Sequence, residues 1–318
     1  MMSTQSNTIG DSAPRNAVKV SVITATYNRA HTLPRAYEAL KKQTFHDFEW
    51  VIVDDGSSDG TERLVRGWQA EDKMRILYVW QPNGGRHTAW NRAVVVARGE
   101  MILKLDSDDW CEPDALKELV EAWESIPSAE RESFSGVTCL CRTSDGQLIG
   151  DRFPRDIMDV FPYKMDWHYR IRGDKWGTQR RDLMLQYPFP VFEGEKSCPD
   201  GVIWNRIGRR YKKRFINKPL QIVDTSGVDR LTRSVVLQRV SNPRGFVIYY
   251  GELAQLPIGL KWRLGAASYY WCTAMHAHGR RLEYLHQLPM PLFAPVTLVV
   301  GTMLYLRDVV RLRGSSSG

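Results

Sequence analysis

The 318-residue sequence predicts an α/β protein with a doubly wound, mostly parallel sheet flanked by helices, followed by a helical C-terminal extension. Three observations carry this prediction. Over residues 18–105, β-rich runs alternate with helical patterns through four strands. The first two strands, VKVSVIT and EWVIV, are near-continuous apolar runs, as expected of strands covered on both faces. Each strand ends abruptly in polar, acidic or glycine-rich residues, and in open sheets of this kind ligands bind at the carboxyl ends of strands.

The first strand, residues 18–24, stops at Ala25-Thr26-Tyr27-Asn28-Arg29. Thr32 is the expected N-cap of a helix whose apolar side carries Leu33, Tyr37 and Leu40. The second strand, 49–53, runs into Asp54-Asp55-Gly56-Ser57-Ser58-Asp59-Gly60, with a helix over 61–69. The third, 75–80, leads to Pro82-Asn83-Gly84-Gly85-Arg86 and a helix over 88–97. The fourth, 100–105, meets Asp106-Ser107-Asp108-Asp109, and Glu112-Pro113-Asp114 opens another helical pattern. Beyond it, 137–141 reads as a strand with a hairpin partner at 147–149, and 151–178 as irregular chain rich in aromatics and arginine.

A helix is expected after Asp200, with Val202, Ile203 and Ile207 inward, then a strand over 214–223. Arg206, Arg209, Arg210, Lys212, Lys213, Arg214 and Lys218 form a run without an acid, a concentrated positive face. Residues 229–250 read as a connecting arm and a helix, and 258–278 and 281–287 as helices. Residues 288–306 hold 19 positions without a charge, but Pro289, Pro291 and Pro295 break the first half. Arg280, Arg281, Arg307, Arg311 and Arg313 flank this stretch, which suits a helix lying in a membrane interface through 258–313. Packing on the rest of the protein or on a second copy, and a full span, are the alternatives. The expected organisation is a flexible tail (1–17), a main domain (18–225, with halves 18–112 and 113–225) and a helical region (226–318).

Apolar residues make up 43% and charged residues 25%, the composition of a globular protein. A formal charge of +8 favours phosphate-bearing partners or an anionic membrane surface. No nucleic-acid-reading motif accompanies it, so nucleic acid is not an expected partner. The five cysteines lack zinc-site spacing, and with no secretory leader at the start the expected setting is the cytosol.

At the end of an extended strand, side chains at i and i+2 share a direction, so Asp106 and Asp108 are expected to converge. Two such carboxylates repel unless a cation sits between them, and oxygen ligands suit Mg²⁺ or Mn²⁺. The competing reading is an acidic turn at a helix entrance. Neighbouring strand ends supply Tyr27 to stack on a base, Asp55 to accept a base N–H, Gly84 and Gly85 for close approach, and Arg86 for phosphate. Neither G-x-G-x-x-G nor a lysine-bearing phosphate loop is present, so a metal bridging the phosphates is the expected anchor.

VSVITATYNRAHTLPRAYEAL, KKQTFHDFEWVIVDDGSSDGT and MILKLDSDDW together resemble the family 2 glycosyltransferases of the GT-A fold, over 18–112 and more loosely to 225. The resemblance implies a nucleotide-diphospho-sugar donor, foremost a UDP-sugar, a divalent metal, and transfer with inversion. It implies donor-binding roles for Thr24, Ala25, Tyr27, Asp55, Gly85, Arg86, Asn91, Asp106 and Ser107, with the metal on Asp106 and Asp108. Asn91 has the alternative of tying its helix to the acidic loop. Asp109 and Glu112 are expected to serve the helix that follows.

Inversion requires a carboxylate that takes the acceptor's proton. The family's E-D-x-x-x-W-x-R-x stretch resembles 199–207, which puts the base on Asp200, although Pro199 replaces the preceding acid. Glu193 and Glu195 are the alternatives, and Asp200 is also an expected helix N-cap. Trp167, Arg172, Trp176 and Trp204 are candidates for an acceptor groove. The function read from all this is an inverting, metal-dependent transferase, peripheral at the inner face of the cell membrane. Its acceptor is a saccharide or polyprenyl-linked glycan. A nucleotidyltransferase and a non-catalytic sugar-nucleotide-binding scaffold are the rivals.

Overall fold

The computed structural model describes residues 17–225, 235–277 and 279–315. Its first half alternates β1 (Val18–Thr26), α1 (Leu33–Lys41), β2 (Phe48–Asp54), α2 (Thr61–Glu71), β3 (Ile76–Trp80), α3 (Arg86–Val96) and β4 (Gly99–Lys104). These four strands are parallel in the spatial order β3-β2-β1-β4. Side chains alternate between two cores, with Val20 and Val22 on one face of β1 and Ile23 on the other. On the first face Trp68 stacks on Tyr37, ring centroids 4.4 Å apart. Thr32 makes no side-chain cap; its hydroxyl turns back to the Arg29 carbonyl at 3.4 Å.

The second half adds β5 (Trp110–Cys111), α4 (Ala115–Glu124), β6 (Phe134–Thr143), β7 (Ile157–Val160), α5 (Pro162–Trp167), β8 (Lys175–Arg180), α6 (Arg181–Gln186), α7 (Gly201–Gly208) and β9 (Lys212–Val223). The sheet continues as β4-β8-β6-β9-β5, with β7 beside β9, and β8 lies antiparallel to both β4 and β6. The stretch 151–178, expected to be irregular, thus supplies β7, α5 and the start of β8. Neighbouring strands impose that pairing where local preference is weak. The expected hairpin at 147–149 reduces to a tight turn with a single Arg142–Leu148 bridge.

Part of the basic run 206–218 is neutralised within the protein. Arg206 pairs with Glu252, Arg214 with Asp159 and Lys218 with Glu118, while Arg209 donates to the Glu252 carbonyl. These acids lie far away in sequence, out of sight of any local charge count.

After β9 come α8 (Val235–Ser241), α9 (Pro243–Leu253), α10 (Leu260–His276), α11 (Arg281–His286) and α12 (Ala294–Ser315). Part of the expected arm, 226–234, and nearly all of the expected tail lie outside the described residues. α12 packs on α10 at Gly301, where an added Cβ would meet the Ser268 carbonyl oxygen at 2.5 Å. A buried ion pair, Arg239 with Asp308, joins α8 to α12. Removing one partner of such a pair strands a buried charge, at a cost of about 3–5 kcal/mol. The opposite side of α12 carries the exposed Val296, Val299, Met303, Leu306 and Val310. Residues 291–312 are long and apolar enough to cross a membrane by length and composition, with mean hydropathy 1.5.

Candidate active site

β4 delivers the acidic loop. Leu105 N–H donates to the Ile23 carbonyl at 2.9 Å and the Leu105 carbonyl accepts from the Thr24 hydroxyl at 2.7 Å, while Trp176 Nε1–H donates to the Lys104 carbonyl. The loop is therefore fixed to β1 and β8 from below. Because the strand ends at Lys104, the i, i+2 rule aligns Lys104 with Asp106. Lys104 Nζ lies 2.9 Å from Asp106 Oδ2 and 3.6 Å from Asp200 Oδ2. Arg86 makes a second bridge, with Nη2 2.7 Å from Asp200 Oδ1 and Nη1 4.0 Å from Asp106 Oδ1.

Two cations thus join two carboxylates that are remote in sequence. Burial alone would raise the Asp106 pKa, but Lys104 and Arg86 more than offset it and hold the carboxyl below its usual range. Burial likewise disfavours the Lys104 ammonium, yet Asp106 and Asp200 keep its pKa above the ordinary value. Asp109 goes the other way: burial first, then the charges of Asp106 and Asp108, push it up to about 8.

Arg86 is positioned by the loop before α3. Gly85 has φ +95°, and a Cβ there would stand 2.0 Å from the Lys196 carbonyl oxygen, so only glycine serves. Asp55 holds this loop. Its buried carboxylate accepts from Gln81 Nε2 (2.7 Å), Gly84 N (2.9 Å), Gly85 N (2.7 Å) and Asn83 Nδ2 (3.2 Å). Four donors fill a carboxylate's acceptor positions, so Asp55 shapes the loop instead of offering a free acceptor to a base.

Several other side chains singled out in the sequence are likewise engaged within the protein. The Thr24 hydroxyl is committed to Leu105 and to Trp50 Nε1, inside the sheet. Asn91 straps α3 to Phe189, donating to its carbonyl and accepting from its N–H, both at 2.9 Å. Glu195 is buried and accepts from Arg244 Nε, Arg244 N and Gly245 N, which leaves it a structural clamp. Glu193 is exposed, and Arg244 binds its carbonyl. Asp109 accepts from Gln221 and from Asp224 N, and Glu112 pairs with Arg142, so neither serves α4. Asp200 precedes α7 but makes no side-chain cap. Its carboxylate is drawn to Arg86 and Lys104.

Asp200 lies between two spaces. A small pocket is lined by Ala25, His87, Trp90 and Phe189, and a cleft of about 520 Å³ by residues including Trp176, Lys175 and Lys213. Arg86, Trp90, Lys104, Asp106, Asp200 and Trp204 line both. Tyr27 is half exposed, Asp108 half buried and Ser107 buried. Trp176 and Trp204 border the cleft. Trp167 and Arg172 do not: Trp167 packs on Trp262 at 5.1 Å, and the exposed Arg172 engages Asp151 through its backbone. Lys104 and His87 were missed by the sequence reading. Lys104 had a usable signal, its i, i+2 relation to Asp106, whereas His87 had none.

The chemistry of Asp106 and Asp108 suits a hard divalent cation: two half-buried carboxylates beside Asp109, whose pKa burial, and then their charge, raises. Lys104 and such a cation would share Asp106. A second cluster, Cys272, His276 and Asp308, has ligand atoms close enough together to hold a metal. Its carboxylate is already neutralised by Arg239, so it reads as a buried ion pair.

A parallel sheet with an acid loop at the end of β4 and a further carboxylate ahead of α7 defines the GT-A class of glycosyltransferases. Residues 21–132 match the family model described as Glycosyl transferase family 2. It is 35% identical over 174 residues to the putative glycosyltransferase EpsH of Bacillus subtilis, covering 52% of this chain and 48% of EpsH. The chain thus spans about half the length of that curated relative. Among solved structures, S. aureus TarS residues 1–349 with UDP-GlcNAc aligns with TM-score 0.65 and 18% identity, covering 93% of this chain and 92% of that one. Mannosyltransferase PcManGT from Pyrobaculum calidifontis with GDP-Man and Mn²⁺ aligns with TM-score 0.52 and 20% identity, covering 95% and 91%. At these identities the likeness is one of fold.

Proposed function

We propose that this chain is an inverting glycosyltransferase that moves a sugar from a nucleotide-diphospho-sugar, a UDP-sugar foremost, to a saccharide or lipid-linked acceptor in glycan biosynthesis. The observation that carries the reading is Asp200, shared by the pocket beside Asp106 and the larger cleft, with Arg86 tying it to the acidic loop. The donor's diphosphate lies against Arg86 and Lys104, whose charges offset the negative charge that grows on the leaving group. Tyr27 covers the base, and the Gly84–Gly85 loop held by Asp55 forms the wall that lets the phosphates approach. Asp106 and Asp108 would hold Mn²⁺ or Mg²⁺, which when bound would supply Lewis-acid neutralisation of the diphosphate. The acceptor enters the cleft, and Asp200 removes the proton from its attacking hydroxyl. TarS, described with UDP-GlcNAc, and PcManGT, described with GDP-Man and Mn²⁺, support a nucleotide-sugar donor and a metal.

The test is release of free nucleoside diphosphate from a panel of nucleotide-sugars, with Mn²⁺ or Mg²⁺ and with EDTA. Metal-dependent release supports the reading. Pyrophosphate release would point to a nucleotidyltransferase, and binding without release to a scaffold.

The exposed apolar side of α12, with Arg307 and Arg311 near its end, supports a peripheral attachment to an anionic membrane face. Val299→Asp combined with Met303→Asp is expected to cut sedimentation with phosphatidylserine-containing vesicles about tenfold or more. Because both side chains are exposed, the thermal midpoint should hardly move. Undiminished sedimentation would refute the attachment.

A further inference from the structure

We propose that the cleft beyond Asp200 is built to take an acceptor carrying an anionic group, a carboxylate or a phosphate, which Lys213 binds at its far end. Lys213 belongs to the basic run whose arginines are consumed in structural pairs. Its own position is different. It points from β9 into the cleft, alongside Ser135, Thr138, Gln179 and Ile207. With the Gln179 amide oriented to satisfy its neighbours, Gln179 donates to the Ser135 carbonyl at 3.1 Å and accepts from Lys213 Nζ at 2.8 Å. That leaves the ammonium with donors to spare. Among the described residues no carboxylate stands within ion-pair distance of it, although Asp166 and Asp174 line other parts of the cleft.

An ammonium in such a place costs free energy until an anion reaches it. Burial pulls the Lys213 pKa down to about 7, and the Cys139 thiol offsets this only in part, in keeping with an unneutralised charge. The cleft, at about 520 Å³, falls within the range of small-molecule sites. Trp176, Trp204, Ser135 and Thr138 are among the residues that line it. A sugar acid or a phosphorylated polyol meets this chemistry, whereas a neutral sugar leaves the lysine unpaired.

The proposal rests on the functional reading only in calling the occupant an acceptor, so the test uses neither donor nor turnover. The full chain is titrated calorimetrically at mildly acidic pH with a glucuronate-terminated disaccharide, with glycerol 3-phosphate and with maltose. At least one anion should bind at least about tenfold tighter than maltose, as expected for a charge-assisted hydrogen bond. The stronger anion distinguishes carboxylate from phosphate. Lys213→Met should abolish the preference and leave maltose unchanged, while Lys213→Arg should retain it. Thermal melts of both variants check folding. Anions that bind no better than maltose, or a preference that survives in Lys213→Met, would overturn the proposal. Anion binding at Lys213 with no nucleoside diphosphate release would instead refute the transferase reading alone.

Discussion

Asp200→Asn is expected to lower turnover by about two orders of magnitude or more, the loss typical of a general base. Asparagine keeps the side chain's shape and can still accept from Arg86, so the loop before α7 should stay in place. The amide cannot take a proton from an acceptor hydroxyl. It also carries no charge, which leaves Arg86 and Lys104 less neutralised and better able to hold a diphosphate. Donor affinity should therefore be unchanged or slightly tighter while kcat falls. Steady-state kinetics with varied donor separate the two quantities. If kcat survives, Asp200 does not remove the proton. Glu195 is then a poor substitute, because three donors from 244–245 already occupy its carboxylate.

Asp108→Asn should remove metal-dependent nucleoside diphosphate release, with a loss of about a hundredfold or more, as for deletion of one electrostatic stabiliser. It should also weaken Mn²⁺-dependent binding of the nucleoside diphosphate, measured by calorimetry with and without EDTA. Asp106→Asn should act on two partners, since its carboxylate also holds Lys104 at 2.9 Å. Its phenotype should accordingly exceed simple metal loss and include altered metal-free donor affinity. Wild-type release in Asp108→Asn, or release indifferent to EDTA in the wild type, would remove the metal from the mechanism.

Much of the donor side could be read from the chain because it is local. Strand runs ending in Asp54-Asp55 and Asp106-Ser107-Asp108 need only the periodicity of buried parallel strands to place them at one sheet edge. What the side chains do there was harder to read. Asp55 and Thr24 lie near the strand ends and Asn91 within α3, yet their polar atoms are engaged by Gly84 and Gly85, Leu105 and Phe189. Such saturation depends on backbone groups brought in by folding, and no residue pattern records it. The acceptor side was less legible still, because β7 and β8 owe their pairing to β9, β4 and β6.

The sequence alone determined the alternation of strand and helix and the acids at the strand ends, since each follows from neighbours within a few residues. The tertiary structure decided the charge network. Lys104 and Arg86 meet Asp106 and Asp200 only when β4, the start of α3 and the loop before α7 converge. It also paired Arg206, Arg214 and Lys218 of the basic run with distant acids and put Lys213 in the cleft. Coulomb interactions depend on separation in space, and a sequence gives separation only along the chain.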